Sequence, residues 1–316
     1  MRAILCKQAK PELTDVPPPT LGDDDIRIAV RATAVNRADL LQCEGHYPPP
    51  AGAPEVLGLE CAGTIAETGA NVQGWERGQR VMALLAGGGY AEEVAVHAGS
   101  VMRVPDALSD AEAAAVPEVF LTAFLNLFLL ARAREGETVL IHGGGSGVGT
   151  AATTLCKLAG MRVIVTAGSD EKCARCLEHG ADVAINYRTE DFVEKANGVD
   201  VILDHIGARY LPRNLDALAV GGRLVVIGSM GGQRAAEIDV VKLLGRRAQL
   251  IGSTLRARSA EEKAAVVAAF LVRFGDDLDA GRIRPVIHTT MPLDRVADAH
   301  RLMAASEHFG KIVLTL

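Results

Sequence analysis

The stretch Glu137–Ala152, ETVLIHGGGSGVGTAA, decides the fold. It opens with a short, β-branched apolar run, passes through five glycines and one serine, and ends in small residues that favour a helix. Strand, glycine turn and helix N-terminus in that order are what a dinucleotide requires. Glycines let the backbone turn tightly and approach a pyrophosphate. The first helical turn then offers free N–H groups and a partial positive charge. Set against G-x-G-x-x-G, Gly144 aligns as the first glycine, Gly149 as the last, and Ser146 stands at the middle one.

Outward from this loop the pattern is regular. TVLIH (138–142), RVIVTA (162–167), VAINY (183–187), VDVILD (199–204), RLVVIG (223–228) and QLIGSTL (249–255) read as strands, with helical stretches between the first five. Runs this short and continuously apolar suit strands covered on both faces. Their alternation with helices predicts an α/β fold with a doubly wound, parallel, six-stranded sheet. The first hundred or so residues differ: DIRIAVRATAVN, LECAGTIAETG, QRVMALLAGGG and YAEEVAVHA are strand-like, with glycine and proline punctuation. A helix over Glu118–Arg134 is expected to link the two regions, and a charged helix over 259–278 leads to a final strand, GKIVLTL. The expected division is 1–117 with 260–316, and 118–259. The C-terminal segment returns to the first domain, and the cleft between domains is the expected site.

The turn after the second strand of the sheet reads VTAGSDEKC (165–173). An NAD site usually places a carboxylate at this turn for the ribose 2′-hydroxyl. Here Ala167, Gly168 and Ser169 occupy it, Asp170 and Glu171 come late, and Lys172 lies just beyond. Tyr187 and Arg188 close the next strand. Small, hydroxyl and basic groups suit a 2′-phosphate, so NADPH is the expected cofactor. Ser169, Lys172 and Tyr187 are assigned to that phosphate, and Gly144, Ser146, Gly147, Val148 and Gly149 to the pyrophosphate. Ile206, Gly228, Ser229 and Met230 fall at strand C-terminal ends, where ligands bind in such sheets. Arg256 or Arg258 reaches the cofactor or the cleft, and Lys311 points there too. His142 and His205, also at strand ends, read as packing histidines.

Lys plus Arg is 33 and Asp plus Glu is 39, a net charge of −6. That balance argues against nucleic-acid binding and gives no sign of attraction to an anionic membrane. The N-terminus has no secretory pattern, and VFLTAFLNLFLLARA (119–133) is too short to span a bilayer, so a cytoplasmic protein is expected. Six scattered cysteines make a disulfide framework unexpected. Cys173 and Cys176 form a C-x-x-C inside a helical stretch and read as structural thiols.

AVNRADLLQCEGHYPPP (34–50), LGLECAGTIAETG (57–69), GQRV (78–81), PEVFLTAF (117–124), the glycine loop, TAGS, NYR and GKIVL occur in this order. Together they resemble the zinc-free quinone oxidoreductase branch of the medium-chain dehydrogenase/reductase superfamily, and within it the p53-inducible type of NADPH:quinone reductase. The resemblance covers essentially the whole chain. It implies a GroES-like, β-rich catalytic domain joined to a Rossmann domain. The zinc-dependent alcohol dehydrogenases of the superfamily place a catalytic Cys where Asn36 stands and a ligand His near Gly58-Leu59-Glu60. They also carry a cysteine lobe that this chain lacks between Val81 and Glu118. Zinc needs about three protein ligands at a catalytic site, and Asn36 and Leu59 cannot serve, so no metal is expected.

Without a Lewis acid the substrate must itself be a ready hydride acceptor, as quinones are. The proton for the product oxygen is left to solvent or a nearby hydroxyl. Asn36 is expected to bond the substrate carbonyl or the nicotinamide ribose and Tyr47 to stack on or bond the quinone, and the resemblance implies that Thr122 contacts the nicotinamide end. Asn36, Tyr47 and Ser146 are the candidate catalytic residues. Asp39 is expected to organise the Asn36 loop, with Arg37 as its candidate partner. The alternatives are reduction of an activated double bond (a 2-enal or enoyl thioester), or a non-catalytic NADPH sensor or RNA-binding protein. QLIGSTLR (249–256) would be an exposed sheet edge, and the family pairs that edge across a two-fold axis, so a homodimer is expected.

Overall fold

The structure is a computed structural model that describes residues 1–234 and 237–316. In chain order the strands are β1 (Arg2–Lys7), β2 (Lys10–Asp15), β3 (Asp25–Ala34), β4 (Glu60–Thr68), β5 (Arg80–Leu84), β6 (Glu93–His97), β7 (Val101–Arg103), β8 (Thr138–His142), β9 (Arg162–Ala167), β10 (Val183–Asn186), β11 (Val199–Asp204), β12 (Leu218–Val226), β13 (Gln249–Gly252), β14 (Ile287–Pro292) and β15 (Lys311–Thr315). The helices are α1 (Arg37–Cys43), α2 (Asp110–Ala113), α3 (Pro117–Phe124), α4 (Gly147–Leu158), α5 (Asp170–Glu178), α6 (Phe192–Lys195), α7 (Leu211–Ala217), α8 (Val240–Arg246), α9 (Ala260–Asp279) and α10 (Val296–Ala305). The chain divides into two units, Met1–Leu121 with Leu255–Leu316, and Thr122–Thr254.

In the second unit the six expected strands form one sheet in the order β10-β9-β8-β11-β12-β13. Every neighbouring pair is parallel. This is the doubly wound Rossmann order. The buried runs explain it: Val139, Leu140, Ile141, Val163, Ile164, Val165, Val201 and Ile202 are shut off from solvent, so these strands have no polar face to present. Boundaries differ at three strands. VAINY stops at Asn186, QLIGSTL stops at Gly252, and RLVVIG belongs to a strand that begins at Leu218 and ends at Val226.

In the first unit β14-β15-β3-β4-β5-β7 form a sheet, with β6 on β3, beside a β1–β2 hairpin. β3 alternates, burying Ile26, Ile28 and Val30 into one core, as a half-covered antiparallel strand should. A second cluster joins Ile4, Val35, Leu40, Leu57, Tyr90 and Ile312. This is the β-rich, GroES-like unit.

Two expectations are corrected. The link over Glu118–Arg134 is not one α-helix: α3 ends at Phe124, and Leu125–Leu130 form π-helical turns. The Asn126 amide donates to the Thr122 carbonyl at 2.7 Å, and the Ala131 N–H reaches back five residues to Asn126 O, which opens the helical ladder. Cys6 and Cys43 are joined in a disulfide, with Cα atoms 5.2 Å apart. It ties the end of α1 to β1. The other four cysteines are free and buried, and burial pushes Cys176 up to about 12, as suits an inert packing thiol. Among the described residues no helix is long and apolar enough to cross a membrane.

Candidate functional site

In the Rossmann unit the chain leaves β8 through Gly143, whose φ of +69° is left-handed. A Cβ there would lie 2.3 Å from the His205 ring, and one on Gly149 would lie 2.2 Å from Gly143 O. The second contact gives Gly149 its place: only a residue without a side chain lets α4 start this close to the turn. Ser146 is the N-cap of α4, its Oγ accepting the Gly149 N–H at 3.0 Å. Gly147 and Val148 are then the first two helical residues, and their N–H groups belong to the set a helix leaves without internal partners. Gly144 donates its N–H to Thr166 O at 2.9 Å, which fixes the turn against β9. The loop is thus built as an anion cradle.

Next to it, Ser169 caps α5 by accepting the Lys172 N–H. Tyr187 is 43% exposed, and its hydroxyl stands 2.7 Å from where a Gly168 Cβ would be. Tyr187 therefore lies over the β9–α5 turn, with Ser169 beside it and Lys172 one turn on. The late carboxylate is occupied: Asn186 Nδ2 donates to Asp170 Oδ1 at 2.7 Å.

The strand ends are knitted by a network that no local sequence pattern reveals. His142 sits between Thr166 Oγ1 (3.1 Å) and Asn214 Oδ1 (2.8 Å), and burial pushes its pKa down to about 3, so it is neutral. Asn214 Nδ2 donates to Asp204 Oδ2, and Asp204 accepts the N–H groups of Ile206 and Gly207. Burial lifts Asp204 to about 6 despite these donors. Gly228 packs on His205 O, and the Met230 N–H donates to it at 3.2 Å. A cavity of about 460 Å³ here is lined by Gly207, Ala208, Val226, Gly228, Ser229 and Leu250. Thr122, on α3, is buried.

The GroES-like unit holds a second network. Lys311, 2% exposed on β15, donates to Glu60 Oε1 (2.8 Å), Asn36 Oδ1 (2.7 Å) and Val35 O (3.0 Å). Asn36 Nδ2 donates to Glu60 Oε1 (2.9 Å) and Ala34 O (3.2 Å). The other Glu60 oxygen accepts the Glu118 N–H at 2.9 Å. Asp39 completes the start of α1, accepting from the Asn36 N–H (2.8 Å), the Gly58 N–H (3.3 Å) and the Tyr90 hydroxyl (2.9 Å). Burial raises it to about 6 against those donors. Arg37 takes no part in this: its guanidinium reaches Met303 O and Ser306. Arg256, buried, donates to Ala86 O, Tyr47 O and Gln42 Oε1. Its guanidinium lies 5.3 Å over the Tyr47 ring, so Arg256 is the clamp of the Tyr47 loop.

Zinc does not fit this set. Glu60 is already engaged by an ammonium, an amide and a backbone N–H. Among the described residues no group of three His, Cys, Asp or Glu side chains stands close enough to hold a metal.

The model of the alcohol dehydrogenase GroES-like domain matches residues 22–106, and that of the zinc-binding dehydrogenase matches residues 179–314. Human quinone oxidoreductase is 30% identical over 311 residues, 96% of this chain and 92% of that protein. A mycobacterial protein in complex with NADPH superposes with a TM-score of 0.87 at 28% identity, covering 100% of both chains. The CurK enoyl reductase does so with a TM-score of 0.87 at 26% identity, covering 99% of this chain and 98% of that one. With both units matched and a curated relative aligned along nearly its whole length, the chain belongs to the medium-chain dehydrogenase/reductase superfamily and is an oxidoreductase with a nicotinamide-dinucleotide fold.

Proposed function

We propose that the chain is an NADPH-dependent quinone reductase that works without a metal. The observation that carries this reading is the Lys311–Glu60–Asn36 network. It engages Glu60, the carboxylate beside Asn36 on which a zinc site would draw, so the acceptor has to be reactive in itself. A quinone is, since its product gains aromaticity. The quinone oxidoreductase relative supports the same choice.

Gly144, Ser146, Gly147, Val148 and Gly149 hold the pyrophosphate, and Ser169, Lys172 and Tyr187 the 2′-phosphate, with Asp170 engaged by Asn186. Ile206, Gly228, Met230 and Thr122 line the remainder. The dinucleotide, when bound, supplies the hydride. Both Asn36 amide protons are committed, to Glu60 and Ala34, so Asn36 has only an acceptor left. It therefore takes a hydroxyl, as of the nicotinamide ribose, rather than donating to a substrate carbonyl. Tyr47, held by Arg256, is the face against which the quinone rests. A homodimer through β13 and a cytoplasmic setting belong to the same proposal.

The similarity to CurK enoyl reductase favours a second reading, reduction of an activated double bond. One experiment separates them: NADPH absorbance is followed with chelator-treated protein and a para-quinone, an ortho-quinone or a 2-enal, with NADH as control. Quinone-dependent oxidation preferring NADPH is expected. Turnover of the enal alone moves the chain to the second reading, and NADPH binding with no turnover at all sinks both.

A further inference from the structure

Glu118 stands second in α3, and its backbone N–H is given to Glu60. Its side chain is not engaged. Oε2 is closed off from solvent and has no hydrogen-bond partner. The charged and titratable groups that act on it come from every neighbouring element: Glu60 on β4, Lys311 on β15, Asp39 on α1, Arg256 after β13, Lys263 on α9 and Tyr47 after α1. The cations are already held. Lys311 has three acceptors, Arg256 has three, and Lys263 donates to Arg258 O at 2.6 Å. A carboxyl with one oxygen shut off from solvent and no donor to stabilise its anion is driven toward keeping its proton. Burial and the Glu60 charge push Glu118 up to about 8. It is a neutral acid at pH 7 whose field reaches Tyr47, and four residues along α3, on the same face, stands Thr122.

We propose that the Glu118 carboxyl is the acid that protonates the substrate oxygen left negative by hydride addition. The inference rests on the quinone-reductase reading. The quinone gains two electrons and one hydrogen as hydride and becomes a hydroquinone monoanion. The Glu118 O–H bond breaks as a new O–H forms on that anion, and the glutamate, which as a residue is only partly buried, is reprotonated from water. The sequence alone leaves this proton to solvent or a hydroxyl. A fixed acid whose pKa lies close to the operating pH is the more effective donor.

The test compares the full-length wild type with Glu118→Gln and Glu118→Asp. In the Glu118→Gln variant kcat should fall about 100-fold with KM and NADPH affinity unchanged, and the loss of wild-type activity above pH 8 should disappear. The Glu118→Asp variant should restore part of kcat. Two readouts need no turnover. Infrared spectra at pH 7 should contain a protonated-carboxyl stretch that is absent from the Glu118→Gln variant. Because the folded pKa is raised, the wild-type carboxyl contributes stability that is full below about 4.5 and lost as pH rises through about 8. The melting temperature of the Glu118→Gln variant should therefore gain on the wild type across that window and then run parallel. An unchanged kcat and alkaline limb in that variant overturns the proposal, and so does the absence of the infrared band. A wild type that reduces the 2-enal and no quinone overturns the quinone reading alone; the same kcat and pH comparison on the enal then decides the role of Glu118.

Discussion

At Glu60 an ammonium, an amide and a backbone N–H converge on two oxygens that water does not reach. Such a pair is weak as a source of stability but costly to break, because removing one member strands the other charge in the core. Lys311→Met should destabilise the chain by about 3–5 kcal/mol in chemical denaturation, and adding Glu60→Gln should recover much of that loss; equal destabilisation by the single and double changes would contradict the pairing. Asn36, Tyr47 and the glycine loop are legible in the sequence because resemblance or local spacing marks them. Glu118, Tyr90, Asp204 and Asn214 are not. Their partners lie 58, 51, 10 and 72 residues away, and no local pattern announces them. Glu118 does carry one signal, an acidic residue just after the proline that opens α3, but it also fits an ordinary helix start.

Among the elements, β8, the glycine turn and α4 are built as an anion cradle, and β9 with the start of α5 is the proposed selector for a 2′-phosphate. Replacing Ser169 and Lys172 together by Ala should weaken NADPH binding roughly tenfold to a hundredfold, the worth of one or two charge-assisted hydrogen bonds. NADH binding should stay as it is. Calorimetric titration of both cofactors checks this, and an equal loss for both would remove the 2′-phosphate from this turn. The Rossmann strands are legible because both of their faces are covered and the apolar runs are unbroken. α1 is not: it has seven residues, too few to show a period. What fixes it is a local capping box, Asp39 returning to the Asn36 N–H, together with tertiary ties from Asp39 to the Gly58 N–H and the Tyr90 hydroxyl and from Cys43 to β1. The π-helical turns after α3 escape the sequence for a related reason, since a single side-chain amide at Asn126 redirects the ladder in an otherwise good helical sequence.

For the whole molecule, apolar surface collects at one edge of the Rossmann sheet. Leu250 on β13 is 43% exposed, and Val241 and Leu244 on α8 are 78% and 69% exposed. An open parallel edge with such neighbours invites a second copy. Val241→Lys should convert a dimer to a monomer in analytical ultracentrifugation without loss of NADPH binding; a wild type that sediments as a monomer would end the homodimer proposal. The GroES-like unit is assembled from both ends of the chain: β15 pairs with β3 and places Lys311 on Glu60. On the ribosome this sets an order. The Rossmann unit has all of its sequence once Thr254 has emerged, whereas β3 and β4 leave the tunnel early and must wait for β15. Until β15 has been made, Glu60 lacks its Lys311 counter-ion and the stretch of β3 that pairs with β15 lies bare.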